Sequence, residues 1–313
     1  VPRTGACHAC VAVLRTPWPR SAVWVTVTPM APLLTSPLVS TQWLADHLGA
    51  DELVVLDASV RTVGVGATTS WHAARDAHER HGHVPGALYA DMLEDFADPA
   101  ASVPVTRPGA EQFEWAARAL GVHRASTVVV YDDDDGQWSA RLWWIFHSFG
   151  FDTVAVLDGG FRKWRDEGRP VRIGAMVRRP SRSSDDDAFV AGEERPVWAD
   201  RARVLRAVDG SEPAALVLAA DATLLGEDHP PVVPGSTAIS SRRLLDAETN
   251  AFLRRPALAD AFTAVSDADE VVTYCGVGSA ACVDALALTM LGHDRVRVYD
   301  GSLAEWWREP VAS

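Results

Sequence analysis

The chain has 313 residues, 48% hydrophobic and 23% charged, which suits a globular protein with room for two domains of ordinary size. Its formal charge of −13 argues against a nucleic-acid or anionic-membrane partner, because Lys and Arg must be in excess where phosphates are to be neutralised. Four cysteines, Cys7, Cys10, Cys275 and Cys282, are too few and too unevenly placed to staple such a chain, so a reducing compartment and a cytoplasmic location are expected.

Residues 1–35 read as a leader, either disordered or an over-extended start, since the stretch up to Pro29 has four prolines and little periodicity. Within it, Val11 to Met30 is mildly apolar. Arg15, Pro17, Pro19, Arg20 and Pro29 break it up well short of the roughly 20 residues that a membrane span needs, so no membrane partner is expected. Cys7-His8-Ala9-Cys10 has C-x2-C spacing without a second ligand pair to complete four-coordinate zinc, so no metal site is expected.

From there the chain repeats itself. In the first half come the strand Leu53-Val-Val-Leu-Asp57, the turn Val84-Pro85-Gly86, and the strand Val128-Val-Val-Tyr131 followed by Asp132 and a helix from Ser139. Val154-Ala-Val-Leu-Asp158-Gly159 and Trp164 close the unit. The second half runs through Leu216-Val-Leu218, Val233-Pro234-Gly235, Val271-Val-Thr-Tyr274 followed by Cys275 and a helix to Leu291, then Val296-Arg-Val-Tyr-Asp300-Gly301 and Trp306. Asp158 to Asp300 and Trp164 to Trp306 are both offset by 142, the mark of one domain present twice. Short β-branched runs alternating with helix-period segments predict an α/β fold, a mainly parallel sheet with helices on both faces, in each half. The domains are placed at 36–172 and 196–313. The polar run Arg178–Asp187 lies in the linker between them, 173–195, and is expected to be exposed.

Open parallel sheets hold ligands beyond the carboxyl ends of their strands, and Cys275 follows such a strand directly. The loop Gly276-Val277-Gly278-Ser279-Ala280 can turn tightly and aim several backbone N–H groups, with a helix N-terminus, at one small volume. That arrangement favours a thiolate and would equally hold a persulfide or an oxyanion. Cys282, seven residues on, reads as core packing. Opposite Cys275 the first half has Asp132, which cannot carry sulfur, so that half is expected to be catalytically silent, with Asp133 to Asp135 a solvated loop.

These segments resemble the tandem-rhodanese sulfurtransferases, which include the thiosulfate and 3-mercaptopyruvate types, over residues 36–310. The motifs that carry the likeness are Gly82-His-Val-Pro-Gly-Ala87, Ser139-Ala-Arg-Leu-Trp-Trp144, Leu157-Asp-Gly-Gly160, Cys275-Gly-Val-Gly278 and Tyr299-Asp-Gly301. The resemblance implies two rhodanese-like domains and covalent catalysis. Cys275 would take a sulfane sulfur from a small donor, 3-mercaptopyruvate or thiosulfate, and pass it to cyanide, a small thiol or thioredoxin, with no cofactor. It also implies that Gly276 to Ala280 form the loop of amide donors. His83 would either assist proton movement or fix the Val84-Pro85-Gly86 turn. Arg141 would either contact substrate or make a structural salt bridge.

Three departures bear on the donor. Val277 stands where mercaptopyruvate-type relatives have serine, with Ser279 offering a hydroxyl two positions later. Asp221-Ala222-Thr223 lacks their arginine, and His229-Pro-Pro-Val-Val-Pro234 lacks their basic residue and histidine before Pro-Gly. Arg242 and Arg243 either restore charge to the anion site or are solvated helix-start residues. No basic residue follows Cys275, which leans the choice toward mercaptopyruvate. The alternative reading is a rhodanese module of low or no activity, with a sulfur-carrier or regulatory binding role. A cysteine phosphatase would need C-x5-R, and Ala281 occupies that position.

Overall fold

The computed structural model describes residues 32–64, 69–176, 188–220 and 231–308. Residues 1–31 of the leader, with Cys7 and Cys10, residues 178–187 of the linker, and Asp221, Thr223 and His229 lie outside the described residues, while Pro32 at the end of the predicted leader is buried and its carbonyl accepts from Thr127 Oγ1 at 2.9 Å.

The first half contains β1 (Leu38–Val39), α1 (Thr41–His47), β2 (Leu53–Asp57), β3 (Val60–Val63), β4 (Ser70–Ala73), α2 (Arg75–His81) and β5 (Leu88–Tyr89). It continues with α3 (Ala110–Ala119), β6 (Thr127–Tyr131), α4 (Gln137–Ser148), β7 (Val154–Leu157) and α5 (Gly160–Asp166). The second half contains β8 (Trp198–Ala199), α6 (Arg201–Val208), β9 (Ala215–Leu218), β10 (Thr237–Ala238), α7 (Arg255–Ala261), β11 (Val271–Tyr274), α8 (Ser279–Leu291), β12 (Val296–Tyr299) and α9 (Ser302–Trp306).

Each half forms one five-stranded parallel sheet, ordered β1-β7-β6-β2-β5 in the first and β8-β12-β11-β9-β10 in the second. The order is the same in both. The antiparallel pair β3–β4 is a separate addition to the first half. The central strands β6 and β11 are buried at every position, which is why they read as unbroken apolar runs instead of alternating ones.

The helices that follow these two strands, α4 and α8, pack against each other and join the halves. Both are buried along most of their length because one face meets the sheet and the other meets the partner helix. One apolar cluster therefore runs from Phe113, Phe146 and Trp144 through Trp198 to Cys275, Cys282 and Leu286. Burying a Leu, Val or Phe side chain stabilises by about 1.5–3 kcal/mol, so the contact between α4 and α8 is a substantial part of the core.

The downstream part of the segment between the halves packs onto the first half. Phe189 is 1% exposed and its ring lies 5.3 Å from Phe113 and 5.4 Å from Phe151. Among the described residues, no helix is long and apolar enough to cross a membrane.

Candidate functional site

Cys275 leaves the carboxyl end of β11 at the centre of the second sheet and is 3% exposed. Its backbone is held by the first turn of α9. The Cys275 N–H donates to Ser302 Oγ at 3.1 Å, while Leu303 and Ala304 N–H donate to the carbonyls of Cys275 and Gly276, both at 2.9 Å. Ser302 adopts φ +47°, a left-handed conformation that costs a residue with a side chain about 1–3 kcal/mol. At the matching place in the first half stands Gly160, φ +59°, followed by Phe161 N–H donating to the Asp132 carbonyl at 2.9 Å. Serine at the strained position supplies what glycine lacks, a hydroxyl to receive the Cys275 amide.

Gly278 is the residue the loop requires to be glycine. It has φ +84° and caps α8, and a Cβ there would lie 2.8 Å from Arg141 Nη1 and 2.9 Å from the Asp300 carbonyl. Gly276 has open space beside it and no positive φ, so the tight turn predicted for both glycines rests on Gly278 alone. Gly278 N–H donates to Cys275 Sγ at 3.1 Å, the one loop amide among the described residues that reaches the sulfur.

The same loop in the first half shows what the backbone can do for an anion. Asp132 Oδ1 accepts from Asp134 and Gly136 N–H at 3.0 and 3.1 Å, and Oδ2 accepts from Trp138 and Ser139 N–H at 3.1 and 2.8 Å. A carboxylate reaches one bond further into the loop than a thiol and presents two oxygens, so four donors find it where one finds Cys275. Burial pushes the Asp132 carboxyl up to about 6 even though the Ser139 and Asp134 amides pull it back. This half thus carries a carboxyl group where the other carries the Cys275 thiol.

Around Cys275, Val277 is 6% exposed and packs in the core, and Ala280 packs against the same cluster. The hydroxyl of Ser279 donates to Gln137 Oε1 at 2.9 Å, so it bridges to the first half. Arg141, on α4, is fully buried. Its Nη2 donates to Asp300 Oδ1 at 2.7 Å and to the Val105 carbonyl. Asp300 Oδ2 in turn accepts from Arg107 N–H at 2.9 Å. The matching Asp158 accepts from Phe252 N–H at 2.8 Å, so each Asp-Gly motif reaches into the opposite half.

The remaining predicted residues lie apart. His83 is fully buried in the first half, stacked on His78 at 4.0 Å, with Nδ1 donating to the His78 carbonyl at 2.9 Å. Burial lowers the His83 pKa, and the His78 carbonyl opposes this. His78 Nδ1 is 2.7 Å from Asp57 Oδ2, which also accepts from Tyr131 OH. No hydrogen bond or ion pair among the described residues connects His83 to the Cys275 loop. Arg242 and Arg243 lie in a short 3-10 turn, Ser241–Leu244, and both are exposed. Arg242 pairs with Asp135 of the first half at 3.1 Å, so its charge is engaged there.

Pattern reading missed Ser302, Gln137 and His78, and the contacts that Asp300 and Asp57 make. Ser302 had a signal, its place opposite Gly160 in the repeat. A cleft of about 630 Å³ is lined by Arg107, Trp198, Arg297 and Asp300 among others, and Cys275 is not in its wall. Cys275, at the carboxyl end of the central strand, is the candidate centre of this site.

A model of the rhodanese-like domain matches residues 40–167 and 232–309. The 3-mercaptopyruvate sulfurtransferase of Mus musculus is 34% identical over 289 residues, spanning 88% of this chain and 94% of its own. The thiosulfate sulfurtransferase of Bos taurus is 32% identical over 285 residues, spanning 86% of this chain and 91% of its own. Among solved structures, the 3-mercaptopyruvate enzyme SseA of Escherichia coli is similar with a TM-score of 0.72 at 25% identity, covering 86% of this chain and 99% of that one.

Proposed function

We propose, from the premise that this chain belongs to the rhodanese family and is a sulfurtransferase of the 3-mercaptopyruvate or thiosulfate type, that Cys275 carries the transferred sulfur as a persulfide. The observation that supports this most is Cys275 at the end of the central strand, with Gly278 N–H on its sulfur and its own amide fixed by Ser302.

The Cys275 thiolate attacks the transferable sulfur of the donor. With 3-mercaptopyruvate the carbon–sulfur bond breaks, its electron pair passes to carbon, and a proton taken up there completes pyruvate. With thiosulfate the sulfur–sulfur bond breaks and sulfite leaves. An acceptor, whether cyanide, a small thiol or thioredoxin, then attacks the outer sulfur of the persulfide and returns the Cys275 thiolate. The donor we favour is 3-mercaptopyruvate. No basic side chain follows Cys275 in its loop, and both described cysteines are free thiols, compatible with a reducing compartment such as the cytoplasm.

Mass spectrometry after incubation with 3-mercaptopyruvate or thiosulfate tests the proposal, with one added sulfur expected on Cys275. A Cys275→Ser protein that still converts cyanide to thiocyanate would sink it. A second experiment addresses the loop anchor. Ser302→Gly keeps the left-handed backbone, relieves its strain and removes the acceptor for the Cys275 amide. Thermal stability within about 1 kcal/mol of the parent and a turnover lower by about tenfold are expected, because a mispositioned nucleophile loses rate before the fold loses stability. Unchanged turnover would show that Ser302 does not position Cys275.

A further inference from the structure

The first half reaches into the active loop at two points, Gln137 at Ser279 and Arg141 at Gly278. The Arg141 guanidinium is completely buried, and Nη2 is held by Asp300 and the Val105 carbonyl. Nε and Nη1 have no hydrogen-bond partner among the described residues. A buried cation left partly unpaired is costly, so this one is held in place against a penalty.

Nη1 lies against Gly278, close enough that a Cβ on that residue would stand 2.8 Å from it. Gly278 is also the hub of both sulfurs. Its N–H donates to Cys275 Sγ at 3.1 Å, and its carbonyl accepts from the Cys282 thiol at 3.2 Å. The free edge of the guanidinium therefore faces the backbone that holds the reactive sulfur. The absence of a side chain at Gly278 is what lets the two approach.

We propose that Arg141 is a positioning residue for the Cys275 nucleophile, its buried guanidinium fixing Gly278 from the opposite half and favouring the negatively charged sulfur in the loop. The inference rests on Cys275 being the reactive cysteine and adds to that reading where its charge is compensated. Arginine suits the task because it stays protonated when buried, and a charge in a water-free interior is screened far less than one at the surface. Electrostatics across the loop agree with this. Burial disfavours the Arg141 charge, but Asp300 first, then Cys282 and Cys275, outweigh it and raise the Arg141 pKa. Burial pushes the Cys282 thiol up, and the Arg141 charge and a side-chain hydrogen bond from Arg141 oppose this.

The charged and titratable groups set against this loop are Arg141 on α4, Asp300 after β12 and Cys282 on α8. Asp300 is the counter-charge that partly offsets Arg141. It also anchors the guanidinium, a task it shares with Val105.

The test is the pH-rate profile of Cys275 alkylation by iodoacetamide, followed by tandem mass spectrometry that separates Cys275 from Cys282, in the full chain. Arg141→Gln is expected to move the profile to higher pH and to lower the rate at pH 7 by about tenfold. Arg141→Lys, which keeps the charge, is expected to restore most of the rate. A folded Arg141→Gln protein with the parental profile overturns the proposal, and so does an Arg141→Lys profile as shifted as that of Arg141→Gln.

Should neither Arg141 variant fold, Asp300→Asn decides. It removes the counter-charge while the Val105 carbonyl keeps Arg141 in place, so the profile is expected to move to lower pH, and an unchanged or raised profile overturns the proposal. Alkylation does not require sulfur transfer. A Cys275 that follows these profiles yet takes up no sulfur from either donor would overturn the persulfide reading and leave this one standing.

Discussion

Asp284→Ala is expected to stabilise the protein by at least about 2 kcal/mol at pH 8, a change read from chemical denaturation. Asp284 sits in the middle of α8, is fully buried, and neither of its carboxylate oxygens has a hydrogen-bond partner among the described residues. Burial alone raises its pKa well above that of an ordinary carboxyl, so the folded protein holds it protonated. Below about pH 4 the unfolded chain is protonated too, and pH has no effect through this group. Above it the unfolded chain releases the proton while the folded chain keeps it. Stability therefore falls as pH rises, by about 1.4 kcal/mol per unit, until the buried carboxyl itself ionises. The gain from Asp284→Ala thus grows between pH 4.5 and pH 8. Asp284→Asn is expected to lose the same pH dependence while keeping the cost of an unpaired polar group. Equal or lower stability of Asp284→Ala at pH 8 would mean that the carboxyl is satisfied in solution.

Nothing local in the sequence marks Asp284 as buried, since a polar residue in a helix ordinarily faces water. Other features were readable because they leave a periodic or repeated trace. The runs Val128–Tyr131 and Val271–Tyr274 announced the two central strands, since strands covered on both faces are apolar throughout. The repeat paired Asp132 with Cys275, and both follow those central strands directly. It also paired Asp158 with Asp300, yet gave no sign that each would bind the opposite half. Arg141 and Asp300 are 159 residues apart, and Ser279 and Gln137 are 142 apart, so no spacing rule brings them together. Only the packing of α4 on α8 does. The loop amides were over-read for the reason that distinguishes a thiol from a carboxylate, reach. Glycine in the sequence announces freedom, but whether that freedom is used depended on Arg141 and Asp300 at Gly278 and on open space at Gly276.

Glu270→Ala is expected to destabilise by about 3–5 kcal/mol and to lower the melting temperature on the order of 10 °C, because it strands a buried cation. Glu270 is 1% exposed and directly precedes β11. Its Oε1 accepts from Arg203 Nη2 at 2.6 Å and Nε at 3.0 Å, and Oε2 accepts from Arg295 Nη2 at 2.7 Å. Arg297 Nε lies 3.1 Å from Oε1. Arg295 is 59% exposed and Arg297 25%, so water can compensate both when the carboxylate goes. Arg203, 4% exposed, retains among the described residues the Glu212 carbonyl at 3.0 Å and a 3.5 Å contact to the Glu212 carboxylate. The penalty is thus the desolvated Arg203 charge and not the sum of three ion pairs. If so, the double variant Arg203→Met with Glu270→Leu, which removes both buried charges, is more stable than Glu270→Ala. A double variant at least as unstable as Glu270→Ala would assign the energy to the bonds themselves. Cys275 lies at the other end of β11. Per folded molecule at 25 °C, sulfur-transfer activity is therefore expected to stay near the parental value in both variants, separating the strand's anchor from the end that carries Cys275.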